Sequence, residues 1–185
     1  MTMTPGLRKF ALTAHITFSV GWLGAVVAYL AVAIAGLVSQ DAQVLHSSNS
    51  TMELTGWFVI VPLSLAALLS GLVQSLGTEW GLFRFYWVVV KLVMTVGAVT
   101  ILLMHMPAVA LRTGVVAEVV HAGVGLLVLL VTTALSVFKP WGRIGGETTT
   151  GTRWGLYVLL GAIGVMLLFL ALHLAGGGHG SHGGH

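Results

Sequence analysis

The residues able to do chemistry in this chain are few, and most are histidines. His15, His105, His121 and His173 each fall within or at the end of a long apolar run, and Lys91 is the one charge deep inside such a run. A charged group at mid-bilayer costs at least ~2.5–3.5 kcal/mol on insertion scales, so by default it marks a function. A buried imidazole likewise needs a partner. The chain has no cysteine, which excludes thiolate metal sites and iron–sulfur clusters. Imidazoles on separate apolar segments then point first to haem b, one or two copies, since its iron takes axial histidine and its flat apolar ring fits between helices. The axial candidates, in order, are His15, His121, His105 and His173. Lys91, with Arg84 or Arg112, offers a cation to a propionate, Lys91 could instead relay a proton, and Trp22 is expected to pack against the macrocycle.

These groups fall at two depths. Lys91 lies roughly 10 Å along its segment from Arg84, and His15 roughly 9 Å from the start of its own, which puts both near the same membrane face. The ordinary reading of this pair is a snorkelling lysine and a histidine donating to a backbone carbonyl. His105, His121 and His173 gather near the opposite face, with Glu118 one turn before His121 on the same helical side. Copper is the alternative cofactor. Met104–His105–Met106 sets two thioethers beside an imidazole, a pairing that suits Cu(I), and His179, His182 and His185 form a metal-catching tail.

The elements that must position these groups follow from composition. Of 185 residues, 57% are apolar and 7% charged, against roughly 25% charged in soluble domains. Soluble enzymes, nucleic-acid modules and disulfide scaffolds are thereby excluded, and the net charge of +3 is too small and scattered for a phosphate-binding stripe. A span needs about 20 apolar residues. Five runs qualify: 10–38, 56–76, 85–106, 115–138 and 154–175. Residues 39–50 and 77–79 and the stretch 139–152 read as loops, with Pro140 ending the fourth span. The expected fold is an all-α polytopic bundle of five transmembrane helices, one domain over 1–175, followed by a flexible Gly/His tail over 176–185. Arg8, Lys9, Arg84, Lys139, Arg143 and Arg153 would share one side and Arg112 the other, so the N-terminus is expected in the cytoplasm and the C-terminus outside.

Small residues such as Gly21, Ala25, Ala31, Ala35, Gly123, Gly125, Gly161 and Gly164 would let helix backbones approach. Pro62 would kink the second span, with Ser64 or a neighbouring helix taking up the freed carbonyl. The spans show no inverted repeat, which counts against a secondary transporter. Glu53, Glu79, Glu118 and Asp41 are expected at or near interfaces and Glu147 in a loop, so no paired catalytic carboxylates or hydrolase nucleophile can be assembled.

Two stretches carry a family resemblance. His15–x6–Trp22–x–Gly24, and Trp87–x3–Lys91–Leu92 followed by His105, resemble a broad group of small bacterial membrane proteins that includes the CopD-like copper-resistance proteins and the HemJ-type protoporphyrinogen oxidases. His121–Ala–Gly–Val–Gly–Leu–Leu and Phe138–Lys–Pro are similar to a bacterial integral-membrane family of that group. The resemblance covers spans one, three and four. It implies haem b held with a span-one histidine and an intramembrane lysine, which map onto His15 and Lys91, while kinship to the CopD-like branch implies copper handling. The interval from Lys91 to His105 is longer than the family pattern, and the fifth span and the tail are additional. The expected function is electron transfer or small-molecule redox chemistry, as a haem-dependent oxidoreductase if a substrate is turned over. The setting would be the bacterial inner membrane, with lipid, and a quinone or a redox protein, as partners. Nucleic acid is not expected, and a homodimer is open to it.

Overall fold

Thr4 begins the first helix by accepting the Leu7 amide on its hydroxyl at 3.5 Å, and Pro5 occupies the first turn, where its missing N–H is not needed. The computed structural model describes residues 3–77, 85–110 and 114–138, together with Tyr157 and Leu160. Helix α1 (Pro5–Val38) is followed by α2 (Ala42–Thr55), a π-helical turn (Gly56–Ile60) and α3 (Val61–Gly77), which join into one long rod. Then come α4 (Tyr86–Ala110) and α5 (Val115–Phe138). Gly114, at a φ of 135°, turns the chain into α5.

The described part is all-helical, with four helices long and apolar enough to cross a membrane: Pro5–Val38, Ala42–Gly77, Tyr86–Pro107 and Val115–Phe138. Only 22–28% of the most apolar window of each is buried inside the bundle. Phe10, Val20, Leu69, Leu127 and Phe138 stand on the outside. So much outward apolar surface suits lipid rather than water, and it suggests a multi-pass membrane protein. The fifth expected span, 154–175, and the tail lie outside the described residues apart from Tyr157 and Leu160.

The helices close a ring. α1 packs on α3 and α5, and α4 packs on the same two, so α1 and α4 stand across a diagonal. Gly21 meets Leu63 while Gly36 meets Ser48, so α1 and the α2–α3 rod run antiparallel. The inward stripe of α1 is Trp22, Val26, Tyr29 and Ala33, spaced by four, three and four as one helical face requires. It packs with Met52, Ile60, Ala67, Val99, Ala122 and Leu129 from the other elements.

Three expectations need correction. Residues 42–50 belong to a helix and not to a loop. Asp41 caps it, its carboxylate accepting the Gln43 amide at 2.7 Å, and Ser47, Ser50 and Thr51 return their hydroxyls to carbonyls three or four residues back. Second, Pro62 is accommodated by the π turn before it, where the Val61 amide reaches back to the Gly56 carbonyl. Ser64 is fully buried but donates to the Val61 carbonyl at 2.8 Å, so it is not the group that answers a carbonyl freed by the proline ring.

Third, of the glycines expected to let helices approach, Gly21 does meet α3, through Leu63 at 3.5 Å, but a Cβ at Gly123 or Gly125 would meet nothing within 4 Å. The tightest approaches are at Gly36, where a Cβ would meet Ser48 Cβ at 3.0 Å, and at Gly56, where it would meet the Met106 sulfur at 2.8 Å. Ser48 Cβ is fixed to the backbone and cannot swing aside, as the thioether of Met106 can. Gly36→Ala should therefore cost about 1–3 kcal/mol by overpacking. Gly123→Ala should be neutral or stabilising by up to about 1 kcal/mol through helix propensity. Unfolding titrations in detergent micelles check the pair, and equal effects would refute this packing.

Candidate functional site

Among the described residues, two polar clusters interrupt the apolar interior. The first is built on His15 of α1, which faces α3. Its Nδ1 lies 3.2 Å from the Ala67 carbonyl and 3.1 Å from Ser70 Oγ. The Ser70 hydroxyl already donates to the Ala66 carbonyl at 2.7 Å, and the Ala67 carbonyl can only accept. Both neighbours thus call for a proton on Nδ1, which leaves the lone pair on Nε2. The ring rests against bare backbone, because a Cβ at Gly71 would come within 3.1 Å of His15 Cε1. Lys91 of α4, half-buried like His15, stands within electrostatic reach of the ring from across the bundle. The proximity that a shared depth would require of these two residues is thus observed. So is the backbone carbonyl expected on the ordinary reading, though it occupies only one ring nitrogen.

The second cluster lies beyond it along α1. Tyr29 follows His15 by fourteen residues, or about 21 Å of helix axis. Its hydroxyl donates to Glu118 Oε2 of α5 at 2.6 Å. The same oxygen accepts from His105 Nε2 of α4 at 3.0 Å. His105 in turn stacks on His121, with ring centroids 3.7 Å apart and planes 15° from parallel. His121 donates through Nδ1 to the Ala117 carbonyl, one turn back on its own helix, at 3.0 Å. Glu118 and His105 are buried, at 4% and 6% exposure, and His121 is half-buried. Glu118 Oε1 is buried with no hydrogen-bond partner among the described residues.

The clustering of His105, Glu118 and His121 across α4 and α5 follows the sequence expectation, but their roles differ from it. Glu118 is the buried hub of the cluster and not an interfacial acid. His105 spends Nε2 on that carboxylate, so this nitrogen is not offered to a metal in this arrangement. The face-to-face stack also keeps His105 and His121 from gripping one iron from opposite sides. His173, Arg84 and Arg112 lie outside the described residues. Trp22 is buried among protein side chains, in one cluster with Val26 and Tyr29. Met104 is 39% exposed while Met106 is 1% exposed and packs on Gly56; two residues apart on a helix, they point about 200° from each other. Met104, His105 and Met106 therefore do not form one pocket. Among the described residues no group of three or more His, Asp or Glu side chains is arranged to hold a metal ion.

Tyr29, Ser70 and Gly71 are the residues that the sequence reading missed. Tyr29 left a signal, since a phenol in the middle of an apolar span needs a partner for its hydroxyl. Ser70 and Gly71 left none, because which histidine they meet depends on how α1 and α3 pack. No family model, curated protein or solved structure matches this chain.

Proposed function

We propose that the chain is a membrane-embedded b-type haem protein working in electron transfer or small-molecule redox chemistry, with His15 as its first axial ligand. The supporting observation is the pair of contacts at His15 Nδ1, with the Ala67 carbonyl at 3.2 Å and Ser70 Oγ at 3.1 Å. Ala67 and Ser70 hold Nδ1–H and aim the ring, so that Nε2 carries the lone pair that iron needs, and an outer partner of this kind commonly sets the orientation and basicity of a ligating histidine. Gly71 leaves the ring room against α3. Lys91 supplies a cation at the same depth for a propionate, or a proton donor beside it. His121, whose Nδ1 is likewise committed to a carbonyl, is the candidate ligand for a second group nearer the other face. The bound group would supply one-electron redox chemistry; the chain's part is to hold it, exclude water and balance its charge.

This reading places the chain in a bacterial inner membrane with five spans, the N-terminus in the cytoplasm and the Gly/His tail outside. The unequal share of basic residues between the two sides supports that orientation. A quinone or a redox protein would be the electron partner. Protein purified from haem-replete cells should be red, with a Soret band that shifts and sharpens on dithionite reduction and a pyridine haemochrome of the b type. Colourless protein that also fails to take up added haemin would overturn the proposal.

A further inference from the structure

The two polar clusters repeat one spacing. On α1, His15 and Tyr29 are fourteen residues apart, and so are Lys91 and His105 on α4 and Glu118 and Thr132 on α5. Fourteen residues make about 21 Å of helix and fall within about 40° of four whole turns. Each pair therefore occupies one helical face at two depths. Tyr29, His105 and Glu118 meet directly, and His121 stacks on His105. One interval away along the bundle, His15, Lys91 and Thr132 make up a second layer. Thr132 is buried, at 8% exposure, and its hydroxyl donates to the Leu129 carbonyl at 2.9 Å. Trp22, Val26, Val99 and Leu129 fill the interior with apolar side chains.

This layering decides what can share an iron with His15. At about 2 Å per metal–imidazole bond, two axial nitrogens lie only about 4 Å apart. His105 and His121 stand a full layer away. His46 is further still: it precedes by two residues Ser48, which seats on Gly36, twenty-one residues along α1 from His15. Among the described residues, His15 thus has no second imidazole within reach of a common iron. The group that stands near it from across the bundle is Lys91 of α4, with Thr132 of α5 in the same layer.

We propose that haem held at His15 has a single protein imidazole, and that its other axial position takes a small exogenous molecule of the carbon monoxide, dioxygen or peroxide class. The inference rests on the haem reading above and narrows it from electron transfer to small-molecule chemistry. Of the two roles open to Lys91, it selects that of a donor beside the bound molecule, and Thr132 adds a hydroxyl to the same lining. Polarity, hydrogen-bond donors and access on this side are what separate ligand binding from electron transfer. The event is reversible binding, in which no bond of the chain or of the molecule breaks.

The test uses the full haem-loaded chain in lipid nanodiscs. Ferric protein should be high-spin by electron paramagnetic resonance and turn low-spin when imidazole is added. Dithionite-reduced protein should take up one carbon monoxide per haem held at His15, read as a displaced Soret band that flash photolysis reverses, and His15→Ala should lose that fraction. The infrared stretch of the bound carbon monoxide should shift in Lys91→Met, which removes a donor, and shift less in Thr132→Val. Red protein that is low-spin in both oxidation states and inert to carbon monoxide would sink this inference while leaving haem at His15 standing. A stretch unmoved by both Lys91→Met and Thr132→Val would sink the assigned lining. Colourless protein that takes up no haemin would remove the haem reading and this one with it, so colour tells the two failures apart.

Discussion

Glu118→Leu is expected to destabilise the bundle by about 3 kcal/mol, at least as much as crowding the helix contact at Gly36. The substitution strands two donors at once. Tyr29 loses the acceptor of its 2.6 Å bond and His105 that of its 3.0 Å bond, both inside the bundle, and each stranded donor costs about 1–3 kcal/mol. Hydrogen bonds within membrane bundles are individually weaker, averaging about 0.6 and reaching about 1.7 kcal/mol, and leucine relieves the carboxylate's own desolvation. These two corrections hold the expectation in the lower half of the range the two donors would span. The companion result is the sharper test. Tyr29→Phe, His105→Leu and Glu118→Leu combined should recover most of the loss, because replacing a whole buried polar network by apolar groups is often neutral, while breaking it by one member is not. Reversible unfolding in mixed micelles gives both values. A triple variant as unstable as the single one would mean that packing volume, and not polar satisfaction, governs this corner of the bundle.

That network shows where reading the sequence succeeds and where it stops. The span over 115–138 is recovered to the residue as α5, because an apolar run bounded by polar residues leaves the helix few alternatives in lipid. The presence of Glu118, His105 and His121 near one end was legible too, since span lengths set depth. Which atoms meet was not. Tyr29 joins the cluster because α1 turns the face of Trp22, Val26, Tyr29 and Ala33 inward, and α1 is apolar on every side, so its sequence carries little sign of which face that is. α2 was illegible for the opposite reason. Its Ser, Asn and Thr residues have poor helix propensity, and what holds it is tertiary: Ser48 seated on Gly36 and Met52 buried in the core. Asp41 was the local sign of a helix start, and it weighs little beside a run of turn-forming residues.

The same limit decides what His15 can be made to reveal. The apolar pattern sets its depth, but the tautomer follows from Ala67 and Ser70 on another helix. If Nε2 of His15 ligates haem iron, His15→Ala should remove most of the bound haem, read as the ratio of Soret to protein absorbance. Imidazole added to the growth medium or to the purified protein should restore part of it by filling the space the ring leaves. Ser70→Ala keeps the ligand and the Ala67 carbonyl, so it should act more mildly: a weaker affinity within the roughly 10–100-fold range typical of outer-partner loss, with a displaced Soret maximum. Gly71→Val should fall between them, since a Cβ there already crowds Cε1 at 3.1 Å and the added methyls push the ring off its carbonyl. The order His15→Ala, Gly71→Val, Ser70→Ala is what ligation through a backbone-anchored ring demands. A red protein whose spectrum ignores all three would move the iron to His121 or to a histidine nearer the C-terminus. If haem loss followed Ser70→Ala but not His15→Ala, the hydroxyl would serve the macrocycle directly rather than through the imidazole.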